Sequence, residues 1–305
     1  MSTKQFEPLL YRELRKVEAK KIIEIASPLL QEEINYATNV FQRCQESAVG
    51  AAADEPLPML ASYYHVIGMT DGIEVLISQS CAVPAILLLR SSFEALLTIE
   101  YILEEDYQRR AFAWLVCYVH DRLSQYEMLD PSRQKGKEFL ITFREDDISK
   151  YMKLPSFPNL PQSIQNLKSL LSKSNYKVAD DEYQSLKSIR KRKPNWYSLF
   201  GGPSNLRDLT KHLNWGAHYN ILYRSWSKIA HADDLSYFLT QTKRGSHAFK
   251  PLRNHEELKL LSSIASSFIL HATMKMIGKF RSGENASLRR WYVNEIRKQH
   301  LALTR

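Results

Sequence analysis

The chain has 305 residues, 44% of them hydrophobic and 25% charged, a globular composition that excludes a disordered chain, a collagen and a coiled-coil rod. Its ten glycines are too few for a protein of many β-hairpins, whose tight turns need residues at positive φ. The net charge of +9 is uneven: residues 1–150 carry −7 and residues 151–305 carry +16, so the second half suits either a polyanion or the acidic half of its own chain.

The elements read in chain order as helix after helix. Residues 8–26 place Leu10, Leu14, Val17 and Ile22 at helical steps. Ser27-Pro28 then reads as a cap followed by proline in the first turn of a second helix, which carries Leu30, Ile34, Ala37, Val40 and Phe41 to about Gln45. Residues 50–58 read as a loop. Helical spacing resumes over 59–79, where Gly68 and Gly72 either weaken the helix or mark close packing against a neighbour helix. Residues 83–104 are apolar nearly all round, which predicts the central helix. The longest uncharged apolar run of the chain, Cys81 to Leu89, is far short of the roughly 20 residues of a membrane span. Asp106 is placed to cap a helix over 107–129. Residues 131–163 are less regular, with Pro155, Pro158 and Pro161 in a connector. Short helices follow, one on Ile164, Leu167, Leu170 and Leu171 and one over 179–192. Gly201-Gly202-Pro203 is a stop, and Ser204 can cap the next helix. Residues 212–231 are helical and rich in large aromatics, 240–253 form a polar loop, 255–281 a long helix, and 284–299 a short amphipathic one. The helices flanking the proline-rich connector look able to share one core. The expectation is an all-α multi-helix bundle: a helical extension over 1–55, a core domain over 56–282 and a basic helix over 283–305. Cys44, Cys81 and Cys117 are scattered, without a CxxC pair, and residues 1–21 lack the apolar stretch expected of a secretion signal. The expected protein is cytoplasmic, reduced and unassociated with membranes.

No P-loop, GxGxxG, HExxH or GxSxG motif occurs, and the histidines do not cluster at metal-ligand spacing. One constellation does carry chemistry. In Arg224-Ser225-Trp226-Ser227-Lys228-Ile229-Ala230-His231 the seven-residue offset is about two helical turns, so Arg224 and His231 share a face with Ser227, and Lys228 lies beside them. Imidazole can move a proton to or from a ribose hydroxyl near neutral pH. A guanidinium can stabilise the charge of a pentavalent phosphorane. The set needs no metal or cofactor. The alternative is an incidental pair in which His231 only ends its helix. Arg90 and Glu94, spaced i, i+4 in the most apolar segment, form either a structural network or the wall of a small-molecule pocket. Glu94 or Glu100 is a candidate to orient His231. Arg190, Lys191, Arg192 and Lys193, with Trp196 beyond, combine cations and an aromatic in the manner of a single-strand RNA contact, or form a solvated helix end. Arg289, Arg290, Trp291, Arg297 and Lys298 repeat the pattern.

Leu88-Leu89-Arg90-Ser91-Ser92-Phe93-Glu94-Ala95-Leu96, followed by Tyr101-Ile102-Leu103, resembles a bacterial all-helical family catalogued as a domain of unknown function, number 5677. Ser227-Lys228-Ile229-Ala230-His231-Ala232-Asp233 is similar to that family's later signature, a serine four residues before a histidine. The resemblance covers roughly residues 60–280. The Arg224-to-His231 spacing also resembles the Arg-x(4–6)-His motif of HEPN domains, at its long end and with Ser225 where Asn, Asp or His is usual. That second resemblance implies a HEPN-like helical core, a homodimer, and a metal-independent endoribonuclease or RNA-binding protein of the toxin or antiphage-defence kind. In it Arg224 would stabilise the scissile phosphate and His231 would act as acid or base. Many HEPN domains are non-catalytic. The alternative is therefore a helical interaction or sensor module in a defence or regulatory complex, with a protein partner or antitoxin.

Overall fold

The computed structural model describes residues 9–10, 12–49, 54–146, 150–153, 158–241 and 245–304. It is all-α: about 80% of the chain is helical, and the sheet seen among the described residues is one short hairpin. Parts of the two loop readings, residues 50–53 and 242–244, lie outside the described residues, as does Pro155 of the connector.

The chain forms two compact units, one from residues 1–105 and 207–305, the other from 106–206. The first is built on four long helices: α1 (Arg12–Val49), α2 (Leu57–Ser78), α3 (Ala82–Glu104) and α12 (Leu258–Phe280). Each touches at least two of the others, α2 and α12 touching all three. Its centre holds fully buried Leu29, Met59, Tyr63, Ile73, Ile86, Leu89, Phe93, Leu96 and Phe268, with Phe93 and Phe268 stacked at 5.5 Å. Tyr63 keeps its hydroxyl inside this core because it bonds Thr273 (2.8 Å) and the carbonyl of Ala37 (3.2 Å). A three-residue turn joins α2 to α3, and a Cβ on Gly72 would meet Leu88 at 2.8 Å, so glycine permits the close approach expected there. Gly68 has open space instead. α3 is central, as its all-round apolarity predicts. α3 and α12 are also long and apolar enough to cross a membrane, and about half of each apolar window is buried inside the unit.

The second unit holds α4 (Tyr107–Leu129), α5 (Gln134–Glu145), α6 (Leu160–Leu171), α7 (Ser174–Arg190) and a 3-10 segment over Trp196–Gly201. Its own core joins Phe112, Val116, Val119, Ile164, Tyr176, Tyr183 and Leu199. The helices that flank the proline-rich connector, α4 before it and α6 and α7 after it, therefore share one core, as expected. α5 lies inside the stretch read as irregular. In the first unit α1 and the C-terminal helices pack with α2, α3 and α12.

Several local expectations are corrected. Pro28 does not start a new helix but lies inside α1. Ser27 donates its hydroxyl to Glu74 of α2 instead of capping, and buried Ala26, Leu29 and Leu30 hold the helix on both sides of the proline. Asp106 precedes α4 at φ 52° with no side-chain cap; its carboxylate meets Arg109 at 2.6 Å. The helix read over 212–231 is interrupted. α8 (Leu206–His212) stops at Asn214, which has φ 63°. α9 (Gly216–His218), a π turn over Tyr219–Tyr223 and α10 (Arg224–Ala230) then run on to His231. After α11 (Leu235–Phe238), the polar loop contains strands β1 (Leu239–Gln241) and β2 (His247–Phe249), antiparallel with Leu239 opposite Phe249. The C-terminal helix is α13 (Asn285–Trp291), a π turn over Tyr292–Ile296 and α14 (Arg297–Thr304).

Candidate functional site

α10 has two faces, set by the three-residue spacing of its large apolar residues. Tyr223, Trp226 and Ile229 are 9%, 5% and 6% exposed and turn inward, α10 lying against α3. The opposite side presents Arg224, Lys228 and, one residue past the helix, His231, all exposed, with Ser227 half-buried. His231 closes the helix: its backbone N–H donates to Ser227 O at 3.2 Å. The next turn is fixed by Ala232 at φ 56° and by Asp233 N–H donating to Lys228 O at 2.8 Å. The four residues grouped by sequence thus lie together on one short helix, and its guanidinium and imidazole are open to solvent.

Tyr223 ties this helix to α3. Its phenol donates to Glu94 Oε1 at 2.8 Å and accepts from Arg90 at 3.0 Å, while the Arg90 guanidinium lies 4.8 Å from the ring centre. Arg90 and Glu94 also meet each other at 3.5 Å, with side-chain exposures of 24% and 47%. The pair is therefore a structural network at the rim of α3, reached by water, and not a buried ion pair. Burial and the Glu94 bond push the Tyr223 phenol up to about 12, so it stays a neutral donor at physiological pH.

Neither Glu94 nor Glu100 orients His231. Glu94 serves Tyr223. Glu100, buried on α3, accepts from His271 Nε2 and from the indole N–H of Trp215, with Lys275 at 3.6 Å. Burial alone would raise its pKa, but these three donors outweigh burial and hold it below the usual value. His271 is a residue that sequence reasoning passed over. It sits on α12, 171 positions from its acid, and no local spacing signals the pair.

The expected RNA-contact residues divide. Lys191, Arg192 and Lys193 follow α7 in the 106–206 unit and, with Lys187, line a surface groove of about 500 Å³. Arg190 is half-buried at the last turn of α7, and Lys193 pairs with Asp121. Trp196 does not line the groove but packs against that unit's core. In the other basic segment Trp291 is likewise an anchor, stacked on Tyr36 at 3.8 Å and donating to Glu32 at 2.8 Å. Among the described residues, no group of three or more His, Cys, Asp or Glu side chains is placed to hold a metal ion.

Residues 58–247 match a family model described as "Family of unknown function (DUF5677)". The match spans α2 through β2 and so includes both the Arg90–Glu94 pair and α10. No curated protein and no solved structure matches the chain.

Proposed function

Starting from the fact that the chain belongs to the family of unknown function DUF5677, we propose that it is a HEPN-like RNA-handling protein of the cytoplasm, acting as a homodimer in the manner of a toxin or antiphage effector. Its working face is the outer side of α10. The observation that carries this reading is the joint exposure of Arg224 and His231 on a helix whose other face is locked by Tyr223, Trp226 and Ile229. A phosphate needs open access, and a rigid helix fixes the cation and the imidazole relative to each other.

The reaction that suits the set is internal transesterification. His231 takes the proton of a ribose 2′-hydroxyl and O2′ bonds to the adjacent phosphorus. Arg224 and Lys228 offset the charge on the phosphorane oxygens, with Ser227 alongside as a hydroxyl donor. The P–O5′ bond then breaks and O5′ takes a proton from an imidazolium contributed by the second subunit. The products are a 2′,3′-cyclic phosphate and a 5′-hydroxyl. The groove of Lys187, Lys191, Arg192 and Lys193 offers the other unit a separate contact for a polyanion.

The test is incubation with total RNA and tRNA in EDTA, beside Arg224→Ala and His231→Ala. The expected result is cleavage leaving cyclic-phosphate ends, reduced about 100-fold or more in each variant with melting unchanged. Cleavage undiminished in His231→Ala would overturn the assignment. Without cleavage, RNA binding that falls in Arg224→Ala would leave a binding protein. Neither cleavage nor binding would transfer the face to a protein partner. Ile221 and Leu235, apolar side chains 69% and 64% exposed on either side of α10, favour that second reading, the non-catalytic interaction or sensor module.

A further inference from the structure

A cavity of about 700 Å³ lies between α12 and the C-terminal helices, bordered by His271 and Met274 on one side and by Asn285, Arg289, Tyr292 and His300 on the other. That volume is within the range of small-ligand sites. Two imidazoles from separate helices border it, one held from behind by a buried acid and the other by a buried serine that is itself bonded to an acid. His271 is fixed through Nε2 by Glu100, itself braced by Trp215. His300 is fixed through Nδ1, 2.7 Å from Ser266 Oγ, which donates onward to Glu33 Oε1 at 2.6 Å. Ser266 and Glu33 are 0% and 1% exposed, so this chain runs from the core outward to the cavity. Each ring therefore keeps its other nitrogen for a ligand. Burial holds His300 below its usual pKa, which leaves that nitrogen an acceptor at neutral pH.

Among the described residues the lining contains no Asp or Glu and Arg289 is its one permanent charge, so the cavity favours an anion. The Arg289 guanidinium is a fork donor suited to phosphate, and the Asn285 amide, which donates one N–H to Ser282 O at 2.8 Å, keeps a second N–H beside it. Tyr292 and His300 stand edge to face with ring centres 6.0 Å apart, and with the pliable Met274 they form walls for a flat ring.

We infer that this cavity binds a small aromatic phosphate of the nucleoside monophosphate class, the phosphate on Arg289 and Asn285 and the ring against the Tyr292–His300 pair and Met274. The inference stands apart from the reading of α10.

Calorimetric titration of the full chain with uridine 5′-monophosphate, uridine and inorganic phosphate tests it. The monophosphate should bind at least about tenfold more tightly than either fragment. Arg289→Ala, and Val293→Asp on an exposed position of the same cavity, should each weaken binding about tenfold or more. Melting temperatures confirm that both variants are folded. Absence of binding by the monophosphate, equal affinity for inorganic phosphate alone, or wild-type affinity in Arg289→Ala would overturn the inference. Loss of binding in Arg224→Ala would also overturn it, by assigning the nucleotide to α10.

Discussion

Replacing Glu33 with glutamine should remove a pH dependence of stability that the wild-type fold carries. Glu33 lies on α1, 1% exposed, with one carboxyl oxygen on Ser266 and the other without a partner. Burial drives its pKa from 4.5 to about 8, against the opposing Ser266 bond. The native state thus keeps a proton between about pH 4.5 and 8 that the unfolded chain gives up. Where the native state binds more protons, stability falls as pH rises. The full interval corresponds to a ceiling of about 5 kcal/mol at roughly 1.4 kcal/mol per pH unit. Glutamine has nearly the same volume and does not titrate. Urea unfolding of both proteins at pH 5 and pH 8 gives the comparison. Glu33→Gln should gain about 2–3.5 kcal/mol relative to wild type between the two pH values. His300, with its pKa lowered by burial, works in the opposite direction in both proteins. A wild-type-to-variant difference that is the same at both pH values would refute the reasoning.

Three further outcomes follow from single contacts. Tyr223→Phe removes the bridge between Arg90 and Glu94; because water reaches that rim, the loss should be only about 1 kcal/mol in urea unfolding, and a loss of more than about 3 kcal/mol would show that the network is sealed. Trp215→Phe deletes an N–H donor to the Glu100 carboxylate and should cost about 1.5–3 kcal/mol at neutral pH. Glu100 has a lowered pKa, so its contribution is present above the unfolded carboxylate value and is lost as pH falls; the Trp215→Phe penalty should shrink in acid, and a pH-independent penalty would contradict the assignment. Gly136→Ala should destabilise the protein by about 1–3 kcal/mol despite alanine's helix propensity, because the new Cβ would lie 1.8 Å from the Asp130 carbonyl oxygen; a stabilised variant in a thermal melt would show that the turn before α5 gives way easily.

Helical periodicity made α2, α3, α4 and α12 legible to within a few residues, since each needs a continuous inward stripe that repeats along its own sequence. Breaks were harder to read. Pro28 satisfies every local rule for a helix start, yet α1 runs through it because flanking residues on both sides are buried. Asn214 and the π turn over 219–223 interrupt an apolar pattern that looks continuous, because nothing in one-dimensional spacing records a left-handed residue or a wider turn.

The same division holds for the sites. Arg224, Ser227, Lys228 and His231 could be grouped from the sequence because helical geometry places near neighbours together, and their side of α10 followed from where Tyr223, Trp226 and Ile229 fall. Trp196 and Trp291 look like RNA-stacking residues beside their cations, but packing turns both into anchors. Glu100 with His271, and Glu33 with Ser266 and His300, join residues 171, 233 and 34 positions apart. Such pairings have no period and no spacing. They arise only when α1, α3, α12 and α14 pack, since burial forces each carboxyl to find a donor among whatever side chains the neighbouring helices bring.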